Sequence, residues 1–424
     1  VSDTRDARLG IRLIRFANGL RLNLKQTDIR KDRVSFRLRL DGGELLNTAD
    51  DPLRTALVSS LPGGGLGAHS QDELATILAG RSVGFAISAG ADSFSLGGGT
   101  TPRDLELQLQ LLAAGLTDPG YRSEGEERYR RNITQFFASL DATPGQALGN
   151  QIGGILSDGD PRFTLQSREA YLARSFAKLA QDIGDRLAQG ALELALVGDL
   201  DEQLAIDAVA KTLGALPARE PDFLPRKDSR QRGFTAQRGP RTITHSGETD
   251  QALVQLVWPT TDDSDLGEVL RLEVLGRVVQ LRLQEVLREE LGQAYSPSAD
   301  SSPSRVWRGY GTFSLTVAVD RAQIDAARAA IAGMLDRLRA GELDVDTVNR
   351  ARQPLLEGYE NLLKSLGGWM TLAERAQSEP DRIERYLAAP ALIRGMTPAE
   401  LVEAARQYLP SAGAVELLVV PDGN

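Results

Sequence analysis

The same order of strands and helices occurs twice along this chain, and that repetition constrains the fold more than any other feature. A strand followed by a helix begins near Phe94, and a similar pair begins near Phe313, about 220 residues later. A period of this length is the size of a whole domain. The chain has 424 residues, more than one hydrophobic core usually serves. The sequence therefore predicts two copies of one α+β unit.

The segment that separates the two copies is poor in apolar residues. Residues 217–241 are rich in Pro, Arg and Gly and show no apolar period, which is typical of a linker. We therefore predict a first repeat over residues 1–216 and a second over residues 242–424. Shorter breaks are expected at residues 62–67 and 296–304, where Gly, Pro and Ser accumulate.

Hydrophobic periodicity predicts the elements of the first repeat. Residues 33–40 alternate apolar and polar side chains, as a half-buried strand does. Residues 52–61 and 71–80 are predicted to be helices, and Ser70 with Glu73 three positions later forms the pattern of a capping box. In the second repeat, residues 266–290 predict a long amphipathic helix.

Composition excludes several classes of function. The chain contains no cysteine, so disulfides, thiolate zinc sites and cysteine nucleophiles are ruled out. The formal net charge of −9 argues against nucleic acid as a partner. No stretch approaches the roughly 18 apolar residues of a membrane span. The start, VSDTRDARLG, lacks the apolar core of a signal peptide, so we expect either no signal or one already removed.

Local motifs give few candidates for a catalytic or metal site. His69 and His245 are the only histidines, neither lies in an HExxH or HxxEH motif, and a polar surface role is expected for both. The Gly-rich segment PGGGLG has no Lys-Ser/Thr after it, and the acidic start of the next helix favours a flexible connection over a phosphate site. Arg33, Arg37 and Arg39 share one strand face, which indicates a solvated face or a surface for an acidic partner.

The strongest candidate is the segment LREELGQAYS. Arg288 falls in the last turn of the long predicted helix, and Tyr295 follows Gly292, a residue that often ends helices. A guanidinium and a phenol near one helix end are two donors that can converge on a carbonyl oxygen. Arginine near a helix C-terminus also compensates the helix dipole, so the segment alone leaves both interpretations open.

This segment resembles the Arg/Tyr segment of the pitrilysin–insulinase family of zinc metallopeptidases, the inverzincins. The phrase NGLRLNLKQT resembles the opening strand of their repeats, and ALVGDLDEQLAIDAVAKTLGALP resembles the strand and helix that close the first repeat. The likeness spans nearly the whole chain and is greatest to a bacterial branch similar to mitochondrial processing peptidase. It implies two homologous α/β sandwich domains, each a mixed, mostly antiparallel sheet with helices packed on one face.

The resemblance also implies where a zinc site would be found. Catalytic members of the family carry HxxEH on the first helix of the first repeat, here about residues 52–61, and a distal Glu completes the ligands. Aligned on this chain, the five motif positions are Thr55, Ala56, Leu57, Val58 and Ser59. The distal Glu falls near Gln135. None of these side chains can replace the imidazole and carboxylate ligands, so we expect this chain to hold no metal and to be inactive alone.

The resemblance therefore implies a division of labour between subunits. We expect a zinc-free chain that forms a heterodimer with a zinc-bearing homologous subunit, or that is the C-terminal half of a longer protease. Arg288 and Tyr295 would bind a peptide or unfolded polypeptide at the partner's zinc and stabilise the transition state of peptide-bond hydrolysis. The alternative is a structural or scaffolding relative without a role in catalysis. A bacterial periplasm is favoured over the cytoplasm.

Overall fold

The computed structural model describes residues 2–291 and 297–423 and divides the chain into two compact units. Unit 1 comprises Val1–Gln135, Gln166–Ser229 and Glu360–Arg385. Unit 2 comprises Phe136–Leu165, Arg230–Tyr359 and Tyr386–Asn424. Each unit contains one sheet and its own hydrophobic core.

The elements are numbered in chain order. The strands are β1 (Ser2–Arg5), β2 (Arg12–Arg15), β3 (Arg21–Gln26), β4 (Val34–Asp41), β5 (Ser88–Ala89), β6 (Ser93–Thr100), β7 (Leu192–Gly198), β8 (Gly239–His245), β9 (Gln251–Thr260), β10 (Ser298–Pro303), β11 (Gly311–Asp320) and β12 (Val415–Pro421). The helices are α1 (Gln71–Ile77), α2 (Leu105–Thr117), α3 (Ser123–Phe137), α4 (Pro144–Leu156), α5 (Arg168–Leu172), α6 (Phe176–Gln189), α7 (Glu202–Lys211), α8 (Leu266–Leu291), α9 (Ile324–Ala340), α10 (Val345–Leu362), α11 (Leu366–Ala373), α12 (Arg382–Gly395) and α13 (Pro398–Tyr408).

The sheet of unit 1 is mixed and mostly antiparallel. Its strand order is β1-β2-β3-β7-β4-β6-β5, with β3 and β7 parallel and the other described pairs antiparallel. Alternate residues of β4, among them Leu38 and Leu40, are buried in one core with Leu109 of α2 and Ile183 of α6. The period-two alternation of this strand produces the layered packing, because successive side chains point to opposite faces.

The sheet of unit 2 follows the same plan with fewer strands. Its order is β10-β11-β9-β12-β8, with β8 and β12 parallel and the other described pairs antiparallel. Phe313 and Leu315 of β11 pack in one core with Val278 of α8 and Ile331 of α9. The predicted fold class, two α+β units with mixed, mostly antiparallel sheets, is confirmed.

Each unit also includes a helix from the other half of the sequence. In unit 2, Ala147 and Leu148 of α4 pack against Ile243 and Leu417 on the second face of the sheet. In unit 1, α11 lies on the second face of the sheet, where Asn23 donates a hydrogen bond to the Ala373 carbonyl at 2.7 Å. Each compact unit therefore includes residues from both sides of the predicted linker 217–241.

The first part of the predicted linker is packed against unit 1. Arg219 is 8% exposed, and its backbone N–H donates to the Asn18 carbonyl at 2.8 Å. Arg226 pairs with the buried carboxylate of Asp41. Residues 217–229 thus belong to unit 1, because buried ion pairs and backbone hydrogen bonds take the place of the missing apolar period.

The helix predicted over residues 52–61 does not form. Residues 52–57 make turns, and a 3₁₀ helix follows over Val58–Gly64. Pro62 has no backbone N–H to donate to a helix, and Gly63, Gly64 and Gly65 lose more conformational entropy in a helix than other residues do. Helix α1 does form, with the capping box of Ser70 and Glu73 as predicted, but it ends at Ile77.

Candidate functional site

Arg288 lies in the last turn of α8 and is exposed. The helix is held in unit 2 by buried leucines on its opposite stripe, including Leu283 and Leu287, which are 0% and 1% exposed. This packing orients Arg288 away from the core. Tyr295 lies outside the described residues, so the convergence of the two side chains stays a prediction.

A charged groove runs beside the same end of α8. It has a volume of about 680 Å³ and lies between α8, α9 and the turn at Asp344. Arg282 pairs with Asp344 at 2.5 Å, and Glu285 accepts a hydrogen bond from Arg350 at 3.0 Å. Hydrogen bonds from Thr347, together with the charge of Arg282, lower the pKa of Asp344 to about 2. The groove is therefore polar, and acidic side chains outnumber the basic ones in its lining.

In the segment aligned with the family's zinc helix, residues 55–59, apolar side chains pack into the hydrophobic core. Val58, at the position of the catalytic base, is fully buried, and Leu57 is 2% exposed. The Thr55 hydroxyl donates to Asn47 Oδ1 at 3.1 Å, while Ser59 is exposed to solvent. A donor set of one engaged hydroxyl, one exposed hydroxyl and three apolar side chains does not fit zinc, which requires imidazole, thiolate or carboxylate ligands.

The distal ligand position does not change this conclusion. Gln135 lies near the end of α3 and is exposed. Across residues 2–291 and 297–423, no group of three or more His, Cys, Asp or Glu side chains is placed to hold a metal ion. That this chain holds no zinc stays a prediction, which metal analysis of the purified chain can test.

An ion-pair cluster that the sequence analysis missed anchors this segment instead. Arg174 pairs with Asp51 at 2.9 Å and with Asp182 at 3.2 Å, and Lys178 also pairs with Asp182. Arg54 Nε lies 3.6 Å from the same carboxylate, whose side chain is only 3% exposed. The i, i+4 spacing of Lys178 and Asp182 is a local signal of one pair, but the long-range pairs have no sequence signature.

The two histidines have separate surroundings. His69 is exposed, as expected. His245 is fully buried, so the surface role expected for it is wrong. Its Nε2 lies 2.9 Å from the Gln251 carbonyl, and its Nδ1 accepts a hydrogen bond from the Gly247 N–H at 3.1 Å. Both ring nitrogens are therefore engaged, and His245 is a structural residue of unit 2.

The basic strand face on β4 meets an acidic group of this same chain. Arg39 pairs with Glu374 at 2.6 Å, and Arg37 lies 3.4 Å from the same carboxylate. Glu374 follows α11 directly and belongs to unit 1. The acidic partner considered from the sequence is thus supplied by the crossing segment 360–385.

One strand edge in unit 1 is open. β5 pairs with only Phe94 and Ser95 of β6, so among the described residues the outer edge of Leu96–Thr100 has no strand partner. This stretch carries Gly97, Gly98 and Gly99, which have no side chains of their own, and Gly98 and Gly99 are exposed. An open edge of this kind can accept an extended peptide as an additional strand.

A family model matches the middle of the chain. Residues 185–355 match the model described as peptidase M16 inactive domain. The match covers less than half of the chain and shows what this region is similar to. This confirms the resemblance to the pitrilysin–insulinase peptidases found in the sequence. The matched region includes α8 and Arg288.

Two curated relatives are plant proteins. The chain is 20% identical over 434 aligned residues to the chloroplastic stromal processing peptidase of Arabidopsis thaliana, and the alignment covers 88% of this chain and 33% of that protein. The stromal processing peptidase of Pisum sativum is 19% identical, with the same two shares. The chain therefore spans about a third of the length of these relatives.

Solved structures share the fold over nearly the whole chain. The periplasmic protease PqqL from Escherichia coli superposes with a TM-score of 0.81 at 16% identity, covering 100% of this chain and 46% of that one. A protease from Helicobacter pylori gives 0.80 at 12% identity, covering 97% and 99%. A peptidase M16 inactive domain from Pseudomonas fluorescens gives 0.76 at 15% identity, covering 98% of both chains.

Proposed function

We propose that this chain is the zinc-free subunit or half of an M16 metallopeptidase and binds peptide substrate for a zinc-bearing partner. The observation that carries the proposal is the donor set at positions 55–59, where Leu57 and Val58 are buried and Thr55 is hydrogen-bonded to Asn47. A chain with this segment contributes to proteolysis only by binding substrate or by completing a partner's site. The match to an inactive M16 domain supports the same division of labour.

Arg288 and Tyr295 are the side chains we assign to the reaction. In the assembled peptidase, the Tyr295 hydroxyl donates a hydrogen bond to the scissile carbonyl as negative charge develops on its oxygen. Arg288 orients the substrate backbone and adds positive charge beside it. The exposure of Arg288 at the end of α8 supports this role, because an unburied guanidinium remains available to an external ligand.

The open edge of β6 supports the binding of an extended peptide. The backbone groups of Leu96–Thr100 that face away from β4 can pair with a substrate strand, whatever the sequence of that strand. Main-chain pairing favours unfolded polypeptides over folded proteins, because only an extended segment presents its own backbone groups. This is the substrate class that we propose.

A stable heterodimer follows from the proposal. Two halves that share one active site function only when assembled, and such an interface is expected to bury more than about 1,000 Å². Zinc, in this account, belongs to the partner.

Among the described residues, no helix of this chain is long and apolar enough to cross a bilayer. The fold likeness to a periplasmic protease supports a periplasmic location.

Substitution of Tyr295 in the reconstituted complex tests the proposal. We expect Tyr295→Phe to lower kcat by about 100-fold, because one donor to the developing oxyanion is lost. Arg288→Lys is expected to raise KM, because a compact ammonium does not reproduce the guanidinium fork. Arg277→Lys, an exposed arginine on the same helix, is the matched control and should leave both constants unchanged.

The scaffolding alternative makes the opposite prediction. If the complex assembles normally and Tyr295→Phe and Arg288→Lys both leave kcat/KM unchanged, the chain supports the partner structurally and the proposed role is wrong. Unfolding midpoints of the variants, measured in parallel, separate a loss of catalysis from a loss of folding.

A further inference from the structure

Arg219 is a buried cation with few partners. Its side chain lies in unit 1, and the residue is 8% exposed. Nη1 donates to the Gly190 carbonyl at 3.0 Å, and Nη2 donates to the Leu187 carbonyl at 2.7 Å. Nε is buried without an acceptor. Of the five N–H groups that a guanidinium carries, three thus have no partner within the described part of the chain.

The charge of Arg219 is also uncompensated. Arg186 and Arg375 are buried too, but each pairs with two or more carboxylates, and these hydrogen bonds raise the pKa of both groups. Burial alone lowers the pKa of Arg219 to about 10, with no carboxylate offsetting it. The C-terminus of α6 supplies only about half an elementary negative charge, so an excess of positive charge remains.

A cavity adjoins this guanidinium. Its volume is about 400 Å³, within the range of small-molecule sites of roughly 300–1,000 Å³. Apart from Arg219 it is lined mostly by apolar groups, including Leu116, Pro119, Tyr121, Leu187 and Pro217. No acidic side chain of the described residues lines it. A positive group at the edge of an apolar cavity matches a ligand with a negative head and an apolar body.

We propose that this cavity binds an organic monocarboxylate with an apolar tail. The carboxylate accepts charge-assisted hydrogen bonds from the remaining Nη N–H groups of Arg219, since Nε is closed off from solvent, and the tail contacts Leu116, Pro119 and Leu187. Such a ligand comes from two sources, a free aliphatic acid or the C-terminus of a short apolar peptide. The site lies wholly within unit 1 and is separate from Arg288 and from the proposed catalytic role.

Calorimetric titration with octanoate and with octanamide tests the proposal on the full chain. We expect saturable binding of octanoate and at least about tenfold weaker binding of octanamide, because the amide lacks the charge that Arg219 requires. N-acetyl-leucyl-leucine and its C-terminal amide form the second pair. Tighter binding of octanoate would identify the ligand as a free aliphatic acid. Tighter binding of N-acetyl-leucyl-leucine would identify it as the C-terminus of an apolar peptide.

A cavity-filling variant keeps the test independent of Arg219. Gly184 lies in α6 and lines the cavity, and a Cβ added there meets no atom within 4 Å. Gly184→Leu therefore has room for its Cβ on the cavity side and improves helix propensity. We expect it to weaken carboxylate binding at least about tenfold, as Arg219→Gln should. Gly149→Leu in α4, where a Cβ also meets nothing, is the matched control and should bind like the wild type.

Three results would overturn the proposal. They are absence of saturable binding by either carboxylate, equal binding of a carboxylate and its amide, and binding that Gly184→Leu leaves unchanged. Each would mean that Arg219 only caps the C-terminus of α6.

Discussion

At the scale of single residues, Asp41 shows how buried charges organise unit 1. Its carboxylate is fully buried at the end of β4. It accepts hydrogen bonds from Arg186 Nη1 at 3.0 Å, from Arg226 Nη1 at 2.8 Å and from the Leu224 N–H at 2.8 Å. One carboxylate thereby fixes α6 and the segment after it, and it supports the left-handed backbone of Arg226, whose φ is +38°.

Removing that carboxylate should destabilise unit 1 strongly. We expect Asp41→Ala to lower the free energy of unfolding by about 3–5 kcal/mol, because Arg226 and the Leu224 N–H lose their buried acceptor and Arg186 keeps only Glu220 and Asp185. Asp185 also pairs with Arg186, but its side chain is 61% exposed. Asp185→Ala is therefore the control, with an expected loss under about 1 kcal/mol. Urea unfolding midpoints measure both, and equal shifts would contradict the buried network.

Some properties of single residues could be predicted from the sequence and others could not. The loss of zinc ligands at Thr55 to Ser59 was readable because side-chain chemistry alone excludes a metal. The burial of His245 was not readable, because its partners Gln251 and Gly247 act through backbone atoms that any residue provides. The pairing of Arg39 with Glu374 joins residues 335 positions apart, and no local pattern encodes such a contact.

At the scale of elements, α7 is fastened to the first two strands by one carboxylate. Glu202, in the first turn of α7, pairs with Arg5 of β1 at 2.6 Å and with Arg12 of β2 at 3.2 Å. The hydrogen bond from Arg5, reinforced by Arg12, lowers the pKa of Glu202 below its ordinary value of 4.5. The carboxylate is partly shielded, with 18% of its side chain exposed.

This lowered pKa predicts how stability depends on pH. The pKa of Glu202 is lower in the folded protein than in the unfolded chain, so its ion pairs stabilise the fold fully at pH values above the unfolded pKa of 4.5. This stabilisation is lost as the pH falls through the lower pKa of the folded protein. We expect Glu202→Gln to be less stable than the wild type at about pH 6.5 and the difference to shrink below about pH 4. Glu127→Gln, at a side chain that is 60% exposed, should show no such trend. Urea midpoints across this pH range provide the comparison, and a constant difference for Glu202→Gln would refute the linkage.

Elements were predictable where their signals are local. The alternation along β4 and the capping box of α1 both act within a few residues, and both appear in the structure. The helix predicted over 52–61 does not form, because Pro62 lacks a backbone N–H and three glycines follow it, although the leucines and the valine of this stretch are buried in the core. The spacing of apolar residues predicted which side chains are buried. It did not predict the conformation of the backbone between Pro52 and Pro62.

At the scale of the whole molecule, the chain contains two α+β units that exchange helices. The order of strands and helices in the sequence predicts the two repeats, but it does not show that α4 joins unit 2 and α11 joins unit 1. Helix α4 brings apolar side chains to the second face of the sheet of unit 2, and α11 brings a carbonyl that accepts a hydrogen bond from Asn23 in the sheet of unit 1. That complementarity is a long-range property, since it appears only when both partners are already folded.

The central claim is that this molecule takes part in proteolysis without a metal of its own. Zinc counted per chain by mass spectrometry tests it most directly, both on the purified chain and on its complex with a zinc-bearing homologue. We predict well under one zinc per molecule for the chain alone and one zinc per heterodimer for the complex. One tightly held zinc in the isolated chain would contradict the account.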